Sequence, residues 1–336
     1  MVPLEADLTA PLAWGLNDAF IWKLGAAQFF SPLERIKSDA YLTQPYAPGR
    51  VPVVFVHGTF SSPVWWAEMW NTLRADPVLR ERCQFWNFVY NSGQPISYSA
   101  AGLRAALLKK VQQLDPDGRD PALRRMVIIG HSQGGLLAKL TVTDTGDKLW
   151  RTAADQPLEA LDLTPQTRAA LRANFFYQPL PCVQRVVFIS TPHRGSYLAT
   201  SFVRKLARLF MSVPQTALHT SADLLKVGQQ VKLPPEVRAG VPTSLDGMSP
   251  KNPFLLALAE IPPAPGVRAH SIIAIDGADQ PPCGSDGVVK YVSAHVSYVE
   301  SEQIVRSAHS CQGKPVAIEE VRRILLEHLA AAAARP

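Results

Sequence analysis

A serine, a histidine and a carboxylate with suitable neighbours are sufficient for acyl transfer. Residues 130–134 read Gly130-His131-Ser132-Gln133-Gly134, a G-x-S-x-G pentapeptide whose glycines leave room for a serine on a strained turn. A serine hydroxyl is a weak nucleophile at neutral pH. It needs an imidazole to take its proton, and a carboxylate to hold that imidazole in one tautomer. The chemistry would be attack on an ester carbonyl and formation of an acyl-enzyme. A glycine turn around a structural serine gives the same short pattern, so the setting of the pentapeptide decides its meaning.

That setting is an alternation of strand-like and helix-like segments from residue 51 onward. VPVVFV at 51–56, QFWNFVY at 84–90 and MVIIG at 126–130 read as buried strands, with helices expected at about 64–75 and 98–114. MVIIG runs directly through HSQGG into LLAKLTV, so strand, tight turn and helix follow without an intervening loop. Later strands are VQRVVFIS at 183–190, HSIIAI at 270–275 and EQIVRS at 302–307, and IEEVRRILLEHLAAAA closes the chain as an amphipathic helix. The alternation predicts an α/β fold, a mostly parallel central sheet with helices on both faces. Two stretches, 145–181 and the proline-rich 196–267, interrupt it and read as cap or lid insertions beside the site. Residues 45–336 then form one catalytic domain, and residues 1–44 an N-terminal extension, helical and packed on it. Within the second insertion SFVRKLARLFMSV at 201–213 is amphipathic; a lid helix and an ordinary surface helix explain it equally.

When a nucleophilic serine sits on such a turn, the acid and then the histidine follow it along the chain. His309 lies after the last strand, in the loop before the final helix, and is the expected base. His295 is its rival, but it stands in the alternating YVSAHVSYV, where a strand histidine facing solvent is the ordinary explanation. Among Asp276, Asp279 and Asp286, the last opens an Asp-Gly turn that would present a carboxylate rigidly. Asp276, which ends a strand directly, is the main competitor. The negative oxygen of the transition state calls for two backbone N–H donors. One is expected from Gln133, the other from His57-Gly58-Thr59-Phe60, with Thr59 favoured and Phe60 the alternative. His57 itself reads as a brace for that loop. Phe60, Trp65, Trp66, His131 and His193 are the candidate pocket residues, although the Thr191-Pro192-His193 turn is architectural in the first instance.

A hydrophobic content of 47% with 18% charged residues excludes a disordered chain. The net charge is +6, yet the basic residues are scattered and no nucleic-acid-binding signature occurs, so no nucleic-acid partner is expected. Asn17, Asp18 and Lys23 interrupt the apolar stretch 11–30. No transmembrane segment is expected there, while peripheral contact with a membrane or lipid surface stays open. The N-terminus MVPLEADLTA has no basic region of a secretory signal. Cys283 and Cys311 lie close in sequence to Asp286 and His309, and a disulfide between them would tie the acid loop to the base loop. Such a bridge stabilises by about 3 kcal/mol if unstrained. It would favour an extracytoplasmic location, and free thiols a cytoplasmic one.

The motifs VHG, GHSQGG, TPHRGS, SDGVV and AHS, in that order over about residues 45–330, together resemble the lipase and esterase branch of the α/β-hydrolase superfamily, specifically bacterial lipase-like proteins. The resemblance implies the α/β-hydrolase fold and a serine hydrolase without metal or cofactor, acting on a small-molecule or lipid-like ester. It also implies Ser132, Asp286 and His309 as triad, with Thr59 and Gln133 as oxyanion donors. An acyltransferase or amidase would use the same triad. A non-catalytic binding protein of the same fold is the alternative of a different class, and against it every element of the site is present.

Overall fold

In the computed structural model, which describes residues 38–197 and 247–333, each apolar run becomes a strand because both of its sides are covered. The strands are β1 (Asp39–Leu42), β2 (Val51–Val56), β3 (Cys83–Val89), β4 (Met126–His131), β5 (Val183–Ile189), β6 (Arg268–Ile275) and β7 (Ser301–Arg306). They form a sheet in the order β1-β3-β2-β4-β5-β6-β7. Every pairing is parallel except that of β1 with β3, which is antiparallel. The helices are α1 (Ala67–Ala75), α2 (Pro77–Arg82), α3 (Ile96–Leu114), α4 (Gln133–Val142), α5 (Pro165–Phe175), α6 (Pro253–Ala259), α7 (Tyr291–Ala294) and α8 (Pro315–Ala333).

The continuous hydrophobicity of the central strands follows from this layering. Val54 and Val56 of β2 point into a core shared with Leu103 and Leu107 of α3 and Leu136 of α4. Their neighbours Val53 and Phe55 point the opposite way, onto Met69 and Leu73 of α1 and Ile318 and Val321 of α8. All ten residues of α4 are buried, Lys139 included. Its Nζ donates to the Ala259 carbonyl at 3.1 Å and to the Tyr298 hydroxyl. Lys139 thus joins α4, which follows Ser132, to the end of α6.

Two expectations change. The described part of the N-terminal extension holds β1, a strand rather than a helix; residues 1–37 lie outside the described residues. Only Ala40 of β1 is buried, and the strand exists because β3 offers it an edge to pair with. YVSAHVSYV is no strand. Tyr291–Ala294 is a short helix whose Tyr291 amide donates to the Gly284 carbonyl at 3.0 Å, so the segment packs on the turn after β6 instead of entering the sheet. The first insertion, 145–181, carries α5 and has a small core of its own around Trp150, Leu158, Leu161 and Leu171. Of the second, α6 and the flanking residues are described, and the amphipathic segment 201–213 lies outside the described residues. No helix among the described residues is long and apolar enough to cross a membrane.

Candidate active site

Ser132 joins β4 to α4 with φ 53° and ψ −123°, a left-handed conformation that costs a residue with a side chain on the order of 1–3 kcal/mol. The surroundings impose it. The Ser132 amide donates to the Ile189 carbonyl at 2.8 Å, anchoring the turn to β5. A Cβ on Gly134 would lie 2.1 Å from the Val56 carbonyl oxygen, and one on Gly130 would lie 2.4 Å from the carbonyl oxygen of Gly134. Both flanking glycines therefore allow the start of α4 to press against the ends of β2 and β4. Ser132 is left 6% exposed at the C-terminal edge of the sheet.

His309 stands between β7 and α8. Its Nε2 is 2.9 Å from Ser132 Oγ and its Nδ1 is 2.7 Å from Asp286 Oδ2. Those partners assign the tautomer: Nδ1–H donates to the carboxylate, and Nε2 accepts from the serine hydroxyl. Asp286, 3% exposed, turns its other oxygen to the amides of Val288 and Val289, which donate at 2.8 and 2.6 Å. Gly287 at φ 87° makes that turn possible. The buried carboxylate thus accepts three hydrogen bonds, one from the imidazole and two from backbone amides.

The structure thus brings together the serine, the imidazole and the carboxylate of the sequence-based expectation, and it keeps the competitors apart from them. Asp276 and Asp279 are exposed. His295 is paired with Glu302 at 2.6 Å and with the Tyr291 hydroxyl at 3.1 Å. In the loop after β2, the Phe60 amide donates to Ser92 Oγ at 3.2 Å. Thr59 Oγ1 donates to Gln133 Oε1 at 2.5 Å, linking the loop to the first residue of α4. Ser92 thus engages the amide of Phe60, the alternative donor of the sequence-based expectation. A Cβ on Gly58 would lie 2.9 Å from Ser132 Cβ, so this loop crosses directly over Ser132. His57 stacks on Tyr90 with centroids 4.4 Å apart, and the Tyr90 hydroxyl donates to the His57 carbonyl at 2.8 Å. Burial holds His57 neutral by pulling its pKa down to about 4.

Of the pocket candidates, Phe60 and Trp65 are half-buried and the other three are interior. Trp66 stacks on Phe55 at 4.9 Å. His193, fully buried, packs edge-on against Phe188 at 4.8 Å. His131 donates from Nε2 to the His309 carbonyl at 3.1 Å. The expected disulfide is absent, a correction: all four cysteines are free thiols. Cys283 is exposed, whereas Cys311 is buried with its sulfur 3.4 Å from Ser190 Oγ. Sequence reasoning did not find Ser92 and Tyr90; the signal was an Asn-Ser-Gly turn ending a strand beside the site.

Among the described residues one cluster has ligand-like spacing, His270, Glu300 and Glu327. It reads as an ion-pair network. Arg185 lies 2.6 Å from His270 Nε2, and both Arg185 and Arg268 reach Glu327 at 3.1 Å. Guanidinium groups occupy the positions that a cation would take.

No curated protein sequence matches the chain. Among solved structures, the lipase BlEst2 of Bacillus licheniformis in its mature form is similar with a TM-score of 0.42 at 16% identity, covering 85% of this chain and 97% of that one. The Thermogutta terrifontis esterase Est2 with butyrate bound gives 0.45 at 14% identity over 92% and 95% of the two chains. The metagenomic carboxyl esterase MGS0156 gives 0.42 at 17% over 96% and 90%. Likenesses this distant say nothing about the reaction. A sequence model of the Alpha/beta hydrolase family, however, matches residues 53–318, from β2 into α8, and with that match the chain belongs to the alpha/beta hydrolase family.

Proposed function

We propose that the protein is a serine hydrolase that cleaves small-molecule or lipid-like carboxylic esters through an acyl-enzyme on Ser132. The observation that carries this reading is the unbroken hydrogen-bond chain from Asp286 through His309 to Ser132 Oγ, ending on a residue held at positive φ. His309 Nε2 takes the hydroxyl proton as Oγ attacks the ester carbonyl. Asp286 stabilises the imidazolium that forms and fixes its orientation without itself taking the proton. The amides of Gln133 and Thr59 receive the oxyanion. As the tetrahedral intermediate collapses, the imidazolium gives its proton to the leaving alcohol. Water then repeats the sequence on the acyl-enzyme, releasing the acid and restoring Ser132.

The test is hydrolysis of p-nitrophenyl esters from acetate to palmitate by wild type and Ser132→Ala in parallel. The substitution is expected to lower kcat by at least ~10⁴-fold, as for other nucleophile deletions. The preferred acyl length then separates esterase from lipase behaviour. Equal activity in the two proteins would move the nucleophile elsewhere. Adding an alcohol acceptor separates hydrolysis from acyl transfer, because both proceed through the same acyl-enzyme.

A further inference from the structure

His131 is a buried polar residue that the reaction sequence above leaves without a task. It is the last residue of β4, immediately before the nucleophile. Its ring lies 4.9 Å from that of His309, centroid to centroid, and its Nε2–H donates to the backbone carbonyl of His309 itself at 3.1 Å. A single imidazole therefore ties the strand end that carries Ser132 to the loop that carries its base, 178 residues further along the chain. The space for that ring is close-fitting, since a Cβ on Gly58 would lie 3.1 Å from His131 Nδ1. Trp66 closes the ring in from the side, edge-on at 6.5 Å. Nδ1 has no partner among the described residues, so the Nε2–H···O contact is the polar interaction that orients the side chain.

We infer that His131 is a positioning residue of the hydrolytic site, holding the His309 backbone so that Nε2 stays within reach of Ser132 Oγ. The inference rests on the proposed serine hydrolase reading. The Ser307 amide, bonded to the Ile275 carbonyl at 3.2 Å, and the Cys311 sulfur, 3.4 Å from Ser190 Oγ, hold the loop two residues to either side, while His131 bonds residue 309 itself. Among the described residues the His309 side chain bonds the two partners it must serve, and the backbone bond from the Cys311 amide to the His309 carbonyl, 3.0 Å, is local to the loop. Burial, with the adjacent His309 ring next in weight, keeps His131 neutral. It therefore adds no second positive charge beside the imidazolium formed during attack.

His131→Gln and His131→Met separate positioning from packing. The two side chains are of similar length and flexibility, and only glutamine carries an N–H that can reach the His309 carbonyl. Two readouts are taken on wild type and both variants: steady-state p-nitrophenyl butyrate hydrolysis, and the rate at which a fluorophosphonate labels Ser132. The methionine variant is expected to fall about tenfold or more in kcat and in labelling rate, with KM within twofold, since a small displacement of a reacting group is costly. Glutamine is expected to recover most of the loss while matching methionine in melting temperature. Equal rates for the two folded variants, or a loss confined to KM, would overturn the inference and leave the hydrolase reading intact. A wild-type protein that neither hydrolyses the ester nor takes the label would overturn both. If neither variant folds, Trp66→Phe loosens the wall beside the ring and leaves both imidazoles in place. It should lower kcat and labelling rate together with KM within twofold, and an unchanged kcat there would refute the positioning role.

Discussion

Acidification should unfold this protein at a pH where its carboxylates are still charged, because five buried histidines must be neutral in the native state. His131 is pushed down to about 3, and His57, His270 and His328 to about 4. His193 is held well below its ordinary value. In each case burial is the largest cause, disfavouring the imidazolium. The unfolded chain takes up protons as pH falls through about 6.5, and the folded chain does so only far lower. Stability from these groups is therefore fully present above pH ~6.5 and drains away as pH drops toward the folded values. At pH ~5.5 each such histidine has lost about 1.4 kcal/mol, a figure that requires only that its folded pKa lie well below that pH. Five of them cost about 7 kcal/mol, comparable with the whole stability of a typical domain, ~5–15 kcal/mol. Urea unfolding followed by circular dichroism between pH 7.5 and 5.5 should show ΔG falling ever more steeply, with four to five protons taken up on unfolding at the lower end. Uptake of about one proton or fewer at pH ~5.5 would refute the assignment of these rings as buried and neutral.

Other perturbations address the site directly. Asp286→Asn should cut kcat about 10⁴-fold in ester hydrolysis, since an amide stabilises the wrong tautomer of His309; a loss under tenfold would point to a different acid. Gly134→Ala should abolish fluorophosphonate labelling and destabilise the fold by more than about 3 kcal/mol in denaturant titration, because its methyl would sit 2.1 Å from the Val56 carbonyl oxygen. Retained labelling would mean that the turn is looser than described. Thiol titration with an aromatic disulfide should find one rapidly reacting cysteine, Cys283, in the native protein and four after unfolding. Two after unfolding would restore the disulfide.

The layers of this fold were legible because their cause is local. A strand covered on both faces must be apolar at consecutive positions, and VPVVFV and MVIIG are. The turn at Ser132 was legible for the same kind of reason, since the glycines that permit it lie two residues either side. The errors fall where structure depends on a distant partner. β1 has one buried residue and borrows its conformation from β3, so nothing within its own four residues announces it. YVSAHVSYV shows the period of a strand, but β7 takes the place beside β6, and the segment must pack on a turn. The cysteine pair shows the limit of spacing as an argument. Cys283 and Cys311 each stand within three residues of a site residue, yet Asp286 reaches His309 through its side chain from a turn that leaves Cys283 in solvent, while Cys311 faces Ser190. Convergence of two loops on one side-chain hydrogen bond does not bring their neighbours together. His131 is the converse case. Its place beside the serine was visible as a possible pocket wall, but the side of the turn that its ring faces is set by the His309 backbone, 178 residues away. What spacing along the chain can assign is the type and order of the reacting groups; the residues that hold those groups in register act across the sheet.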